Sequence, residues 1–347
     1  MEEFARATSL ALFDYLRKSR AEGMVISLSG GADSSAVASI VWLMVRLATE
    51  QLGREGFAQR LPQITNLSAS ASDESAVGHL LTCVYQQTRN SSETTRAAAA
   101  AVAKAIGAEF VDWNIDKLVD GYVATVSKAI GRDLTWDRDD AALQNIQARV
   151  RGPGAWLLAN LRNALLLVTS NRSEAAVGYA TMDGDTCGGL APIAGVDKAF
   201  LLQWLQWMEQ TGPLGVGPLP ALSVVNEQQP TAELRPPAEH QTDEGDLMPY
   251  PLLDAIERAA IRDKLTPIEV FDTVRPQFTQ YSTQQLGEWI ERFFQLWCRS
   301  QWKRERLAPS FHVDDRSLDP KGWCRFPILN GNFDRELAEL REYLKGV

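Results

Sequence analysis

The sequence predicts an α/β fold, with a doubly wound, mainly parallel sheet flanked by helices and a helical C-terminal extension. Three observations predict it. Short apolar runs at 24–29, 80–85, 109–115 and 165–169 have strand length, and helical periodicity fills the stretches between them. Strands alternating with helices pair in parallel through right-handed crossovers. The composition is that of an ordinary globular chain: 347 residues, 45% hydrophobic and 23% charged, which excludes disorder, collagen and coiled coil.

The elements follow in order. Residues 2–20 read as a helix with Leu10, Leu12, Phe13 and Leu16 on its apolar side; Arg17, Lys18 and Arg20 crowd its end and Gly23 stops it. The run from Met24 to Ser29 is a buried strand closed by Gly30-Gly31. From 33 to 52, Val37, Ile40, Val41, Met44 and Leu47 recur at helical spacing. Residues 53–79 are polar and are expected mainly as a long surface loop, a length that signals function or mobility. A strand at 80–85, an Ala-rich helix at 91–106, a strand at 109–115 and a helix at 118–130 come next. A helix over about 140–162 leads into the fourth strand at 165–169. Beyond Lys198 the chain is helical and Pro-punctuated, with helices at 200–210, 251–262, 267–273 and 282–303 and a Gly/Pro turn region at 212–220.

Several function classes are excluded. No stretch approaches the ~20 apolar residues that a membrane span needs. The acidic N-terminus lacks an apolar signal core, so secretion is not expected. The formal charge of −9 argues against a general nucleic-acid surface, although local charge at a nucleotide site can oppose it. Cys83, Cys187, Cys298 and Cys324 lie far apart with no paired His. A zinc site or disulfide framework is therefore disfavoured, and a reducing cytoplasm fits.

The sharpest feature is Ser29-Gly30-Gly31-Ala32-Asp33-Ser34-Ser35, between a strand and a helix. Two glycines let the backbone turn tightly and approach an anion. Ser29, Ser34 and Ser35 supply hydroxyls, and the helix start supplies N–H groups with partial positive charge. That is a phosphate cradle, but neither GxxxxGK[ST] nor GxGxxG is present. Asp33 would repel bare phosphate and suits magnesium-bound phosphate. The plainer reading is a strand-to-helix turn in which Asp33 or Ser34 is an N-cap.

Further along, Asn145 and Arg149 share one face of a helix, and Arg149 offers forked donors to a phosphate or carboxylate. An isolated pair of this kind is more often a solvated helix face. Thr169 ends a parallel strand, where open α/β sheets bind ligands. Glu174 is a candidate second metal carboxylate or, alternatively, a capping-box glutamate with Ser170 or Asn171 as cap. Lys198 and Lys303 lie on expected helices, where most lysines are solvated. Thr231 follows Pro230, a placement that can simply shape a turn.

The glycine string resembles the pyrophosphate loop of the N-type ATP pyrophosphatases. With Asn145 to Arg151, Thr169 to Glu174, Val177 to Asp185, Gln229 to Leu234, Gln241 to Glu244 and Trp302 to Arg304, the chain resembles NAD synthetase over roughly 20–330. It looks most like the synthetase module of the glutamine-dependent enzymes. The resemblance implies an adenine nucleotide alpha hydrolase-like fold and a single domain over 1–347, with a nucleotide-binding core over 1–200 and a mainly helical part over 201–347, the boundary being soft. It implies synthesis of NAD⁺ from deamido-NAD (nicotinic acid adenine dinucleotide), ATP and ammonia, with Mg²⁺, in a cytoplasmic homodimer. Only about twenty residues precede the first strand and no cysteine precedes Cys83. Free ammonia or a separate glutaminase is therefore expected.

By matching motifs, the resemblance puts Ser29, Gly30, Gly31, Asp33, Ser34 and Ser35 on pyrophosphate, with Asp33 and Glu174 on Mg²⁺. Thr169 and Thr231 would contact ATP, and Lys198 would neutralise phosphate charge. Asn145, Arg149, Glu174, Tyr179, Thr181, Met182 and Lys303 would line the dinucleotide site. Either Asp183 or Asp185 would orient ammonium or act as base. Met182 stands where small ammonia-using relatives carry a lysine.

Overall fold

The structure, a computed structural model, describes residues 1–65, 67, 72–229, 231, 233–235, 242–328 and 333–346. The first helix, α1 (Glu2–Ser19), ends at Arg20 in the left-handed conformation rather than at Gly23. Gly23 instead opens strand β1 (Gly23–Ser27), where a Cβ would come 3.0 Å from the Leu80 carbonyl oxygen. Then come α2 (Ala32–Arg60), α3 (Asp73–Leu80), β2 (Leu81–Gln87), α4 (Glu93–Ile106) and β3 (Glu109–Asn114). α5 (Asp116–Ile130), α6 (Trp136–Leu161), β4 (Ala164–Leu167), α7 (Arg172–Val177) and α8 (Lys198–Gln210) complete the α/β part.

Among the described residues the four strands form one parallel sheet in the order β3-β2-β1-β4. Alternation along β1 explains why helices cover both faces. Met24 and Ile26 enter the core shared with α1, α2, α4 and α8, whereas Val25 enters a smaller one with Ala155 and Ala159 of α6. The chain leaves β1 toward β2 and β3 on one side and returns to β4 on the other. The gap at the C-terminal ends of β1 and β4 is thus a topological switch point, where open α/β sheets bind ligands.

The expected long loop at 53–79 is largely helical in its described parts. α2 breaks at Gly53, with φ 68° and ψ 163°, and continues to Arg60. The continuation is held by Phe57, which is buried and stacks on Phe13 at 5.9 Å. A single anchoring aromatic gives no visible periodicity. α3 is capped by Ser72, whose side chain accepts from the Ser75 N–H, and it buries Ala76, Val77 and Leu80. Residue 66 and residues 68–71 of that stretch lie outside the described residues. α2 also has the length and apolar composition of a membrane span, contrary to expectation. Some 72% of that window is buried, as befits the central helix of a core.

The C-terminal part contains α9 (Ser223–Asn226), α10 (Asp243–Asp246), α11 (Tyr250–Glu257) with a π-helical turn at Arg258–Arg262, and α12 (Pro267–Val274). The helix expected over 282–303 divides at Ser300 into α13 (Thr283–Arg299) and α14 (Gln301–Arg304). Ser300 donates its hydroxyl to the Val177 carbonyl at 3.0 Å, which anchors the break beside α7. With α15 (Asp334–Leu344), helices α11 to α13 close a second hydrophobic core that reaches Ala176 and Val177 of α7, whereas Val225 of α9 packs into the first.

Candidate active site

The turn after β1 is built for close approach. Leu28 N–H still bonds the Val84 carbonyl at 2.9 Å, so the strand is anchored up to the turn. Gly30 then adopts φ 84°, and a Cβ there would fall on the Thr95 carbonyl, so only glycine fits. Gly31 is the N-cap of α2 without a side-chain cap. The capping role expected for Asp33 or Ser34 is therefore not the one they play. Ser34 Oγ accepts from the Ser29 N–H at 3.2 Å and pairs with Ser29 Oγ at 3.1 Å, holding the turn closed on itself. Ser29, Gly31, Ala32, Asp33 and Ser34 line a cavity of about 600 Å³ at the switch point. Gly30 lies beneath the turn, and Ser35 is fully buried inside α2; neither lines the cavity.

The N-cap and first three residues of α7 organise the opposite wall. Asn171 caps the helix by accepting from the Glu174 N–H at 3.0 Å, and its amide donates to Asp33 Oδ1 at 3.0 Å. Arg172 is buried and donates to Asp197 at 2.8 Å and Glu257 at 3.0 Å. Ser173 Oγ accepts from the Lys198 backbone N–H at 2.8 Å. Asn171 thus supplies the expected cap, but Glu174 does not complete a capping box: its carboxylate turns to the cavity and to Lys198.

Lys198 is 2% exposed, not the solvated helix lysine its position predicts. Its ammonium bonds Asp33 and lies 3.1 Å from Glu174 Oε1 and 5.5 Å from the Tyr250 ring centroid. Burial opposes its charge, but the Asp33 and Glu174 carboxylates outweigh burial and hold it protonated above the ordinary lysine range. Burial pushes the Glu174 carboxyl up, with Lys198 pulling the other way.

The remaining expected residues divide. Thr169, Asn145, Tyr179, Thr181, Lys303 and Thr231 all line the cavity. Thr181 donates to Asn145 Oδ1 at 2.8 Å, and Tyr179 donates to Asp246 at 2.8 Å. Lys303 donates to the Gly178 and Ala180 carbonyls at 2.6 and 2.7 Å, and burial lowers its pKa. Arg149 and Met182 do not line it: Arg149 is exposed and donates to the Met182 carbonyl at 3.1 Å. Of the two aspartates left open by the sequence, Asp185 faces the cavity and accepts from the Thr181 N–H at 2.6 Å, whereas Asp183 is exposed and pairs with Arg306. Water reaches Asp185 through the cleft, yet the surrounding protein pushes its carboxyl up to about 6.

Residues without an expected role also converge here. Asp243 is 6% exposed, and Tyr250 donates to its Oδ2 at 3.3 Å. Its Oδ1 has no partner among the described residues, and burial raises its pKa. Arg151, two residues beyond Arg149, lines the cavity where Arg149 does not. The lining residues of α6 recur at three- and four-residue spacing from Ala141 to Ala155, a stripe that takes in Asn145 and Arg151 and leaves Arg149 to one side. Glu233 accepts from Thr95 Oγ1 at 2.9 Å, tying the 233–235 segment over the cleft.

No group of three or more His, Cys, Asp or Glu in metal-binding arrangement occurs among the described residues. The paired carboxylates of Asp33 and Glu174 nevertheless fit Mg²⁺. That ion takes oxygen donors, and one or two carboxylates complemented by substrate phosphates suffice. A cation already lies between them, the Lys198 ammonium.

The parallel sheet order, the glycine turn and the cavity at the switch point define a doubly wound α/β fold with its site at the C-terminal ends of the strands. The chain belongs to the NAD synthase family, whose sequence model matches residues 4–306. It is 30% identical to the glutamine-dependent NAD(+) synthetase of Mus musculus, an alignment covering 94% of this chain and 48% of that protein. It is 32% identical to that of Aquifex aeolicus, covering 96% and 49%. The crystal structure of a glutamine-dependent NAD(+) synthetase from Cytophaga hutchinsonii superposes with a TM-score of 0.84 at 44% identity, covering 97% of this chain and 55% of that one. The chain spans about half the length of the curated relatives it matches, and corresponds to their synthetase module.

Proposed function

We propose that this chain amidates nicotinic acid adenine dinucleotide to NAD⁺, using ATP and ammonia and releasing AMP and pyrophosphate. The observation that carries the reading is the meeting of Lys198 with Asp33 and Glu174 at the mouth of a glycine turn lining a cavity of about 600 Å³. A carboxylate is a poor acyl donor because oxide is a poor leaving group; adenylation supplies a better one. The nicotinate carboxylate attacks the α-phosphorus, pyrophosphate leaves, and ammonia displaces AMP from the acyl adenylate.

In this reading the protein contributes mainly position and charge. The Ser29 to Ser34 turn offers N–H and hydroxyl donors to the departing pyrophosphate, and Lys198 offers its ammonium to the phosphates. Asp33 and Glu174 would hold Mg²⁺, which when bound supplies charge neutralisation on the phosphate oxygens. Thr169 and Thr231 flank ATP, and Asn145, Tyr179, Thr181 and Lys303 flank the dinucleotide. Arg149 and Met182 stay in the proposal only as outer contacts, since they do not line the cavity. Asp185 is the better placed of the two aspartates for orienting ammonium.

The nitrogen source is proposed to be free ammonia or the product of a separate glutaminase. A homodimer is proposed on the exposed apolar row Leu118, Tyr122, Val126 and Ile130 of α5, and a cytoplasmic location on the cysteine spacing. The test is incubation with Mg·ATP and nicotinic acid adenine dinucleotide, with ammonium or glutamine in parallel. NAD⁺ with ammonium alone is expected. Folded protein that yields neither NAD⁺ nor pyrophosphate refutes the assignment, and equal turnover with glutamine refutes the nitrogen source.

A further inference from the structure

The first turn of α8 is held unusually firmly. A helix start leaves its first N–H groups without intrahelical partners, and one capping side chain usually serves one of them. Here three successive groups are each served by a side chain. Lys198 N–H bonds Ser173 Oγ at 2.8 Å, Ala199 N–H bonds Asp254 Oδ2 at 3.0 Å, and Phe200 N–H bonds Asp197 Oδ1 at 2.7 Å. Asp197 is the ordinary N-cap. The other two attachments meet at Asp254, because Ser173 donates its hydroxyl hydrogen to Asp254 Oδ1 while accepting from Lys198. One carboxylate thus secures both the amide of Lys198, through Ser173, and the amide that follows it.

Asp254 lies on α11 with Tyr250 one turn before it and Glu257 nearly one turn after, so the three share a helix face. Tyr250 reaches Glu174 at 3.4 Å, and Glu257 accepts from Arg172 at 3.0 Å. That face reads the α7–α8 unit from both ends. Burial and the Asp197 carboxylate push Asp254 up to about 7, against Ser173, the Ala199 N–H and Arg172.

We infer that Asp254 is a positioning residue for Lys198: with Ser173 it fixes the backbone from which the buried ammonium reaches Asp33 and Glu174. The inference rests on the proposed role of Lys198 in ATP chemistry. A long flexible lysine delivers charge to one point only when its backbone is stationary. Ser173 adjoins Glu174, so the same hydrogen bonds set the separation of the ammonium from its carboxylate partner.

The test is a double-mutant cycle on the full chain, measuring pyrophosphate release in Asp254→Ala, Lys198→Ala and the combination. Losing a hydrogen bond to a charged group predicts about a tenfold or larger fall in kcat for Asp254→Ala, with the KM for ATP moving far less. Asp254→Ala is expected to add no further loss once Lys198 is gone. Multiplying losses, or an undiminished kcat in Asp254→Ala, overturns the inference. Asp254→Asn retains an acceptor for the Ala199 N–H and is expected to recover part of the rate; it carries the same cycle if the alanine variant does not fold. Amide hydrogen exchange at 198–199 gives a readout independent of turnover. Faster exchange in Asp254→Ala is expected, and unchanged exchange counts against the inference. An inactive wild type with accelerated exchange in the variant would refute the proposed reaction while leaving the positioning contact in place.

Discussion

Lys198 Nζ lies 3.1 Å from Glu174 Oε1, with Asp33 bonded to the same ammonium. The two carboxylates that suit a divalent cation are thus occupied by the protein's own cation, and their repulsion is relieved in the absence of ligand. Removing the lysine leaves both carboxylates facing each other. Lys198→Met is expected to cost about 2–3 kcal/mol of stability, below the range for a fully dry pair because the cavity admits water. Turnover should fall by about a hundredfold or more. Magnesium should raise the Tm of the variant more than that of the wild type, because the added cation replaces the lost one. An equal rise in both proteins would show that Lys198 and the metal do not share these carboxylates.

Gly30 and Gly31 separate fold from function. At Gly30 both the positive φ and the Thr95 carbonyl forbid a side chain. Gly30→Ala should therefore destabilise by about 2 kcal/mol or more. At Gly31 the nearest atom to an added Cβ is Ser29 Oγ at 3.5 Å, and φ is −87°. Gly31→Ala should keep its Tm yet weaken ATP binding, because the methyl group enters the cavity wall. Thermal melts and ATP titration check both; a destabilised Gly31→Ala with normal ATP affinity would reverse the assignment.

Asp185 supplies a pH dependence. Its folded value of about 6 stands above the ordinary 3.8, so the folded state binds the proton more tightly. The stability it contributes is complete below about pH 4 and is lost as pH rises through about 6. Asp185→Asn should flatten that segment of a denaturation-against-pH curve. If the carboxylate orients ammonium, kcat/KM for ammonium should rise through the same interval in wild type and not in the variant.

α5 buries none of its residues in this chain, although Leu118, Tyr122, Val126 and Ile130 recur at four-residue spacing along it. Val126→Glu should leave the helix intact and shift a dimer toward monomer by sedimentation. A wild-type monomer, or an unaltered dimer in the variant, would remove this face from the proposed interface.

Much of the scaffold is legible locally. The four strands, the glycine turn and most long helices follow from apolar runs, periodicity and turn chemistry, all set by neighbours in the chain. Glu174 could be read both as a cap partner and as a site carboxylate, and it is both a first-turn residue of α7 and a wall of the cavity. The helix beyond Gly53 was hidden because Phe57 is its sole deeply buried residue.

The order of residues along the chain dictated which backbone turns tightly and which helix follows it, because those are short-range matters of sterics and hydrogen bonding. Only folding in three dimensions decided that Lys198 is buried against Asp33, 165 positions away, that Arg151 rather than Arg149 faces the cavity, and that Tyr250 meets both Asp243 and Glu174 while Asp254 holds the neighbouring Ser173. Charge burial depends on what packs around a side chain, and no pattern along the sequence encodes that distance.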